Sequence, residues 1–154
     1  MKLIAVTQVH ILTLMAWFSS ESEVTEWAGP NFTYPFSLKS FSDDLNNNLS
    51  QSFALVTDNE ELVGFGQYYL NLDKCHLARL VIAPSMRGQG LAAKLILLLA
   101  EQGIKRMKVK ECSLLVWDYN KQAIRAYQKV GFKVTNSAQH PAINNCLYMV
   151  KEFN

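Results

Sequence analysis

Between Arg79 and Ala93 the chain reads Arg-Leu-Val-Ile-Ala-Pro-Ser-Met-Arg-Gly-Gln-Gly-Leu-Ala-Ala, an order of residue types suited to gripping an anion with main-chain nitrogens. Leu80-Val81-Ile82 is an apolar, partly β-branched run of the kind that makes a buried strand. Pro84 ends it by withholding a backbone donor. Arg87-Gly88-Gln89-Gly90 makes a small-residue turn, and strong helix formers dominate from Leu91 to Gln102. The first turn of such a helix presents unpaired N–H groups at the positive end of its dipole. Glycines let an anion approach the backbone closely. Phosphate or pyrophosphate is the expected guest.

Two well-known phosphate loops do not fit. A Walker loop ends in Gly-Lys-Ser/Thr, which is absent here. The dinucleotide fingerprint Gly-x-Gly-x-x-Gly fails because Ala93 stands where its last glycine belongs. The pattern present is Arg87-x-x-Gly90-x-Ala92, following Val-Ile-Ala-Pro. A second stretch, Asn120-Lys-Gln-Ala123-Ile-Arg-Ala-Tyr127-Gln-Lys-Val-Gly131-Phe132, follows the apolar run Ser113-Leu-Leu-Val-Trp117. It has the chemistry of a capped helix. Asn120 can close the N-terminus, Ala123 and Tyr127 share a face, and Gly131 suits a left-handed C-cap. Together the two stretches resemble the paired signatures of the GNAT superfamily of N-acetyltransferases. The first matches its acyl-CoA-binding pattern Gln/Arg-x-x-Gly-x-Gly/Ala after a strand. The second matches its strand, Asn, Ala, Tyr and closing Gly-Phe. The resemblance spans Phe53 to Phe132.

By that resemblance the chain is a mixed α/β protein with the GNAT fold. The expected sheet is mostly antiparallel and twisted, with about six or seven strands, the fourth and fifth splayed apart, and about four flanking helices. Acetyl-CoA would be the acyl donor, with no metal. Its pyrophosphate would lie on the amides of Gly88, Gln89, Gly90, Leu91, Ala92 and Ala93. Its pantetheine arm would pair like an extra strand with Leu80, Val81 and Ile82. Asn120 and Tyr127 would face the thioester from the other wall. Arg87 either touches phosphate or braces the turn.

The implied reaction is direct attack of an amine on the thioester. The amine must be neutral, the developing oxyanion needs a donor, and the leaving thiolate needs a proton. The resemblance gives the last task to Tyr127, and a backbone N–H near Ile82 is the candidate for the oxyanion. A tyrosine near ~10 is a weaker acid than a thiol near ~8.5, so full transfer costs roughly 2 kcal/mol. A hydrogen bond to the departing sulfur asks less of it. For a base, strand alternation puts His76, Ala78, Leu80 and Ile82 on one face, and His76 aligns with a position where some family members carry Glu. His76 either accepts the amine proton or is a strand histidine making an ordinary hydrogen bond. Neutralising a lysine-like amine at pH 7 costs roughly 4–5 kcal/mol, an α-amine only about 1, so water can serve as relay for the latter.

The rest of the chain must position these residues. At 154 residues, with 49% hydrophobic and 18% charged, it is expected to form one globular domain over residues 1–154. A net charge of +2 is too mild to argue for nucleic acid. Lys2 to Val9 reads as a first strand and Ile11 to Ser19 as a first helix. The opening resembles a secretion signal, but Thr7, Gln8, His10 and Thr13 break its apolar run and no Ala-x-Ala site follows. No stretch reaches the ~20 apolar residues of a membrane span. A short helix and loop around Trp27, a helix from Phe41 to Leu49, and a hairpin of Ser52–Thr57 with Leu62–Leu70 follow. The central strand is then Cys75 to Ala83. Lys133–Asn136 and Cys146–Phe153 read as the last strands, joined by the loop around His140-Pro141.

Cys75, Cys112 and Cys146 have no metal spacing and read as reduced thiols of a cytoplasmic protein. Glu21, Glu23 and Glu26 with Trp27 and Tyr34 either line a pocket for a cationic amine or form a solvated loop around one packed indole. The expected partners are a coenzyme A thioester and an unidentified amine, with neither nucleic acid nor membrane. A homodimer through the last strands, common in the family, stays open. Two other function classes also stay open. One is a non-catalytic acyl-CoA sensor of the same fold, the other an interaction protein using the apolar helix Leu91–Ala100.

Overall fold

A computed structural model describes residues 1–46, 50–136 and 144–154. The elements run β1 (Lys2–Ala5), α1 (Gln8–Met15), α2 (Glu21–Ala28), α3 (Leu38–Leu45), β2 (Gln51–Val56), β3 (Leu62–Asn71) and β4 (Lys74–Ile82). Then come α4 (Leu91–Met107), β5 (Glu111–Trp117), α5 (Lys121–Val130), β6 (Lys133–Val134) and β7 (Cys146–Glu152). The seven strands form one sheet in the order β1-β2-β3-β4-β5-β7-β6. Every neighbouring pair is antiparallel except β4 and β5, which are parallel. This is the mixed, mostly antiparallel sheet the sequence implies, and the described residues hold five α-helices where about four were expected. The loop around His140-Pro141 and positions 47–49, where the helix from Phe41 was expected to end, lie outside the described residues.

Two helices begin three residues before the sequence pattern suggests, and capping explains both. In α1 the Thr7 hydroxyl accepts from the His10 amide at 3.4 Å while His10 Nδ1 accepts from the Thr7 amide at 3.1 Å. In α3 Ser37 and Ser40 exchange the same pair of bonds at 3.1 and 2.9 Å. Each satisfies two helix-end donors reciprocally, with His or Ser standing where the familiar box has Glu or Gln. Helix α4 runs past Gln102 because Gly103 lets it press onto the sheet, where a Cβ would meet Cys75 and Tyr68.

The sheet separates two cores. Helix α4 covers one face with Leu95, Ile96, Leu99 and Ala100, packed on Phe53, Tyr68, Leu77 and Ile82. Helices α1 to α3 cover the other with Leu14, Val24, Phe41 and Leu45 around Phe65. Trp27 lies at the centre of this second cluster, stacked on Phe18 at 4.5 Å and Phe41 at 5.8 Å. Its packing favours the core reading of that indole over an amine pocket. Cys75 and Cys112 sit in register on β4 and β5, both buried, and all three cysteines are free. A hydrogen bond donated by Cys112 to Cys75, then burial, keeps the Cys112 thiol protonated.

Candidate active site

Strands β4 and β5 begin as neighbours and then part. Their ladder holds only Cys75–Cys112 and His76–Ser113, although β4 continues to Ile82 and β5 to Trp117. Beyond His76 the edge of β4 that should meet β5 is therefore open. The Ala83 amide donates to Val63 of β3 at 2.9 Å. Alternation then turns the Ile82 and Leu80 amides toward the opening.

The chain leaves β4 through a single 3₁₀ turn at Pro84–Met86 and enters α4 at Gly90. Gly88 and Gly90 have φ of +80° and +75°, a region costly for residues with a Cβ, and a Cβ at either would meet nothing within 4 Å. No side chain caps α4, and no acidic residue occupies its first turn. The amides of Leu91, Ala92 and Ala93 thus head a helix of 17 residues beside open glycine backbone, an arrangement that attracts a phosphate. Arg87 donates from Nε to the Ile82 carbonyl at 3.3 Å, so its side chain braces the end of the strand.

The opposite wall comes from α5. Asn120 caps it, accepting from the Ala123 amide at 3.2 Å, and Gly131 closes it with φ +117°. Both features follow the sequence reading. Ala123 and Tyr127 pack against the same core cluster as Leu91 and Ala92 of α4, which brings the two signature stretches together. Burial pushes the Tyr127 phenol up to about 12. Against a thiol near ~8.5, full proton transfer would then cost about 5 kcal/mol, which leaves hydrogen bonding as the role the phenol can fill.

The structure corrects one placement. Val81 faces Phe65 and Ala78 faces Gln67, leaving Arg79 and Leu80 together opposite Gly66. This is a bulge, with Arg79 at φ +53°. The extra residue reverses the alternation. His76 keeps company with Tyr69, their rings 5.0 Å apart, whereas Leu80 and Ile82 turn to the α4 face. His76 therefore does not share a face with Leu80 and Ile82. It is buried, and its Nδ1 lies 2.8 Å from Ser113 Oγ at the last rung of the ladder.

The sequence reading also gave Arg79 no role. Its guanidinium donates to the Asp44 carbonyl at 3.0 Å and to Gln67 Oε1 at 3.1 Å, and lies 5.4 Å from the centre of the Phe32 ring. Its own carbonyl accepts from Trp27 Nε1 at 2.8 Å. The available signal was a cation set between alanine and leucine in an otherwise buried strand.

Comparison with known proteins gives the same family. The profile described as "Acetyltransferase (GNAT) family" matches residues 21–132. The uncharacterized N-acetyltransferase YjgM of Escherichia coli is 39% identical over 61 residues, which is 40% of this chain and 36% of that protein. The match thus spans about a third of that relative's length. The spermidine N-acetyltransferase of Vibrio cholerae, solved with CoA and spermine, aligns with a TM-score of 0.76 at 18% identity, covering 98% of this chain and 94% of that one. The aminoglycoside acetyltransferase AAC(6')-Ib, solved with coenzyme A and kanamycin, gives 0.76 at 22% identity, with 98% and 94% covered. At such identities the structures speak to the fold, and the family match speaks to the chemistry. The chain belongs to the acetyltransferase (GNAT) family.

Proposed function

We propose that this enzyme transfers the acetyl group of acetyl-CoA to a primary amine by direct attack within a ternary complex. The observation that carries this is the parting of β4 from β5 directly beside the uncapped start of α4. The diphosphate rests on the amides from Gly88 to Ala93, and Arg87 holds the turn that shapes them. From there the pantetheine arm runs back along β4, pairing first at Ile82 and bringing the thioester to Leu80; Val81, expected to pair with the arm as well, turns its backbone groups to Phe65 of β3 instead. The Leu80 amide, just after the bulge, donates to the developing oxyanion. Asn120, whose Oδ1 is occupied by the cap, offers its amide NH₂ to the arm. Tyr127 donates a hydrogen bond to the departing sulfur, which leaves as thiolate and takes its proton from water. The attacking nitrogen also loses its proton to water, and His76 serves to join β4 to β5 where their ladder ends.

The acceptor is a cationic amine by this reading. The Trp117 and Tyr119 rings stack 5.9 Å apart at the end of β5, on the lip of the opening. The Tyr119 phenol is raised by desolvation and then by Glu26, Cys146 and Asp118, which marks an acidic, aromatic rim. The ligands of the structural neighbours, spermine and kanamycin, are amines, in keeping with that rim. The test is mass spectrometry of polyamines, aminoglycosides and peptides incubated with the enzyme and acetyl-CoA. An acetylated amine with stoichiometric free CoA is expected. Tight CoA binding with no acetylated product across the panel would overturn the proposal and favour a sensor.

A further inference from the structure

We infer that Arg79 and Trp27 are positioning residues, which hold the bulge of β4 in a left-handed conformation and so aim the Leu80 amide at the thioester; this rests on the function proposed above. Arg79 is a non-glycine residue at φ +53° in the middle of a strand, a conformation that persists where surrounding contacts over-determine it. Such contacts are present on every side. The guanidinium reaches back to the α3 end at the Asp44 carbonyl and to Gln67 on β3, and lies over Phe32. Gln67 is fixed in turn, donating from Nε2 to the Leu45 carbonyl at 2.7 Å and to Ser52 Oγ at 2.8 Å. The carbonyl of Arg79 is pinned by Trp27 Nε1 at 2.8 Å, and that indole is wedged among Phe18, Phe32, Phe41 and Phe65. On the other side of the sheet Leu80 and Leu99 fill the space above Gly66.

The same helix holds both lips of the opening. Trp27 of α2 donates to Arg79 on β4, while its neighbour Glu26 offers a carbonyl to Trp117 Nε1 of β5 at 3.0 Å. Two consecutive residues of α2 thus tie together strands that no longer pair with each other. A peptide plane rotated at residue 79 would carry the Leu80 amide out of line, with no effect on the diphosphate cradle beyond Pro84. The devices act on the chemical step and leave coenzyme binding alone.

The experiment compares Arg79→Ala, Arg79→Gly and Trp27→Phe with the parent enzyme. Steady-state kinetics, coenzyme titration and thermal melts verify folding and separate kcat from binding. Arg79→Ala is expected to lower kcat at least about tenfold while the CoA Kd stays within about threefold. Arg79→Gly, which adopts a positive φ without strain, should recover at least about threefold of that loss. A purely structural role would not produce such rescue, because glycine elsewhere in a strand weakens it. Trp27→Phe keeps the ring stack and removes only the N–H, and should lower kcat by about threefold or more. Equal kcat in Arg79→Ala and the parent, or equal losses in Ala and Gly, would overturn the inference. An enzyme that binds CoA and acetylates nothing would sink the proposed function instead. In that case NMR of the free protein decides. A left-handed signature at residue 79 lost in Arg79→Ala and kept in Arg79→Gly supports the clamp, and its survival in Arg79→Ala refutes it.

Discussion

Replacing Gly90 with Asp tests the cradle most directly, because the structure separates its effect on folding from its effect on binding. A Cβ added at Gly90 meets nothing within 4 Å, so the side chain starts into open space. The φ of +75° costs a residue with a Cβ about 1–2 kcal/mol. A carboxylate at the start of α4 offsets part of this through the helix dipole, by about 0.3–1 kcal/mol. The free protein should therefore lose only about 1 kcal/mol, or roughly 2–4 °C of Tm. Binding is different. Under the proposed function the new charge stands where the diphosphate lies, and the site is exposed, so about 1 kcal/mol of repulsion per phosphate charge is a conservative figure. Two such charges give about 2 kcal/mol, a loss of about thirtyfold in affinity. Asn at the same position has Asp's shape and tolerates positive φ without the charge, so Gly90→Asn should bind CoA within about fivefold of the parent. Titration calorimetry on the three proteins measures both gaps. Raising the ionic strength to about 1 M, where the screening length is about 3 Å, should narrow the difference between Asp and Asn. If Asp and Asn bind coenzyme equally well, or Asp binds as well as Gly, the diphosphate does not sit on these amides.

Further expectations follow from the same geometry. Tyr127→Phe should lower kcat by about tenfold with little change in CoA affinity, as for loss of one donor to the departing group; equal turnover returns Tyr127 to the core. Raising the Tyr127 pKa to about 12 from an ordinary value near 10 means the folded state holds this proton more tightly than the unfolded chain. The associated stability is therefore fully present below pH 10 and lost as pH rises to 12, about 3 kcal/mol in all. Denaturant titrations at pH 9.5 and 12 should show that much less loss in Tyr127→Phe than in the parent. His76→Gln should leave the acid limb of the kcat/KM profile unmoved while lowering stability by about 1–2 kcal/mol, from the lost bond to Ser113; a shifted limb would make His76 the base. Gly66→Ala should cost about 2 kcal/mol, because its Cβ would collide with Leu99 and lie 2.9 Å from Leu80 Cδ2, and a fall in Tm of about 4–8 °C would register it.

Much of the site was legible from local chemistry. Glycines at 88 and 90 before a run of helix formers announce an open helix start. Asn120 and Gly131 announce the two ends of α5, because caps are decided by the few residues that make them. The starts of α1 and α3 escaped notice because His10 and Ser40 complete capping boxes usually closed by Glu or Gln.

Other features belong to the fold alone. Whether a strand carries one residue more than its neighbour depends on pairing, so Arg79 and Leu80 opposite Gly66 could not be seen in β4 by itself. That single extra residue sends His76 to one face and Leu80 to the other. The bond from Trp27 to the Arg79 carbonyl joins residues 52 apart, and the aromatic packing that aims the indole is assembled from α3, β3 and the loops that carry Phe18 and Phe32. The sequence by itself therefore determined the glycine-led, uncapped start of α4, the capped helix α5 and the family they belong to, all written in contiguous residues. Only the tertiary structure decided how β4 is bent at Arg79 and Leu80, because that bend is a relation between strands and the helices that clamp them.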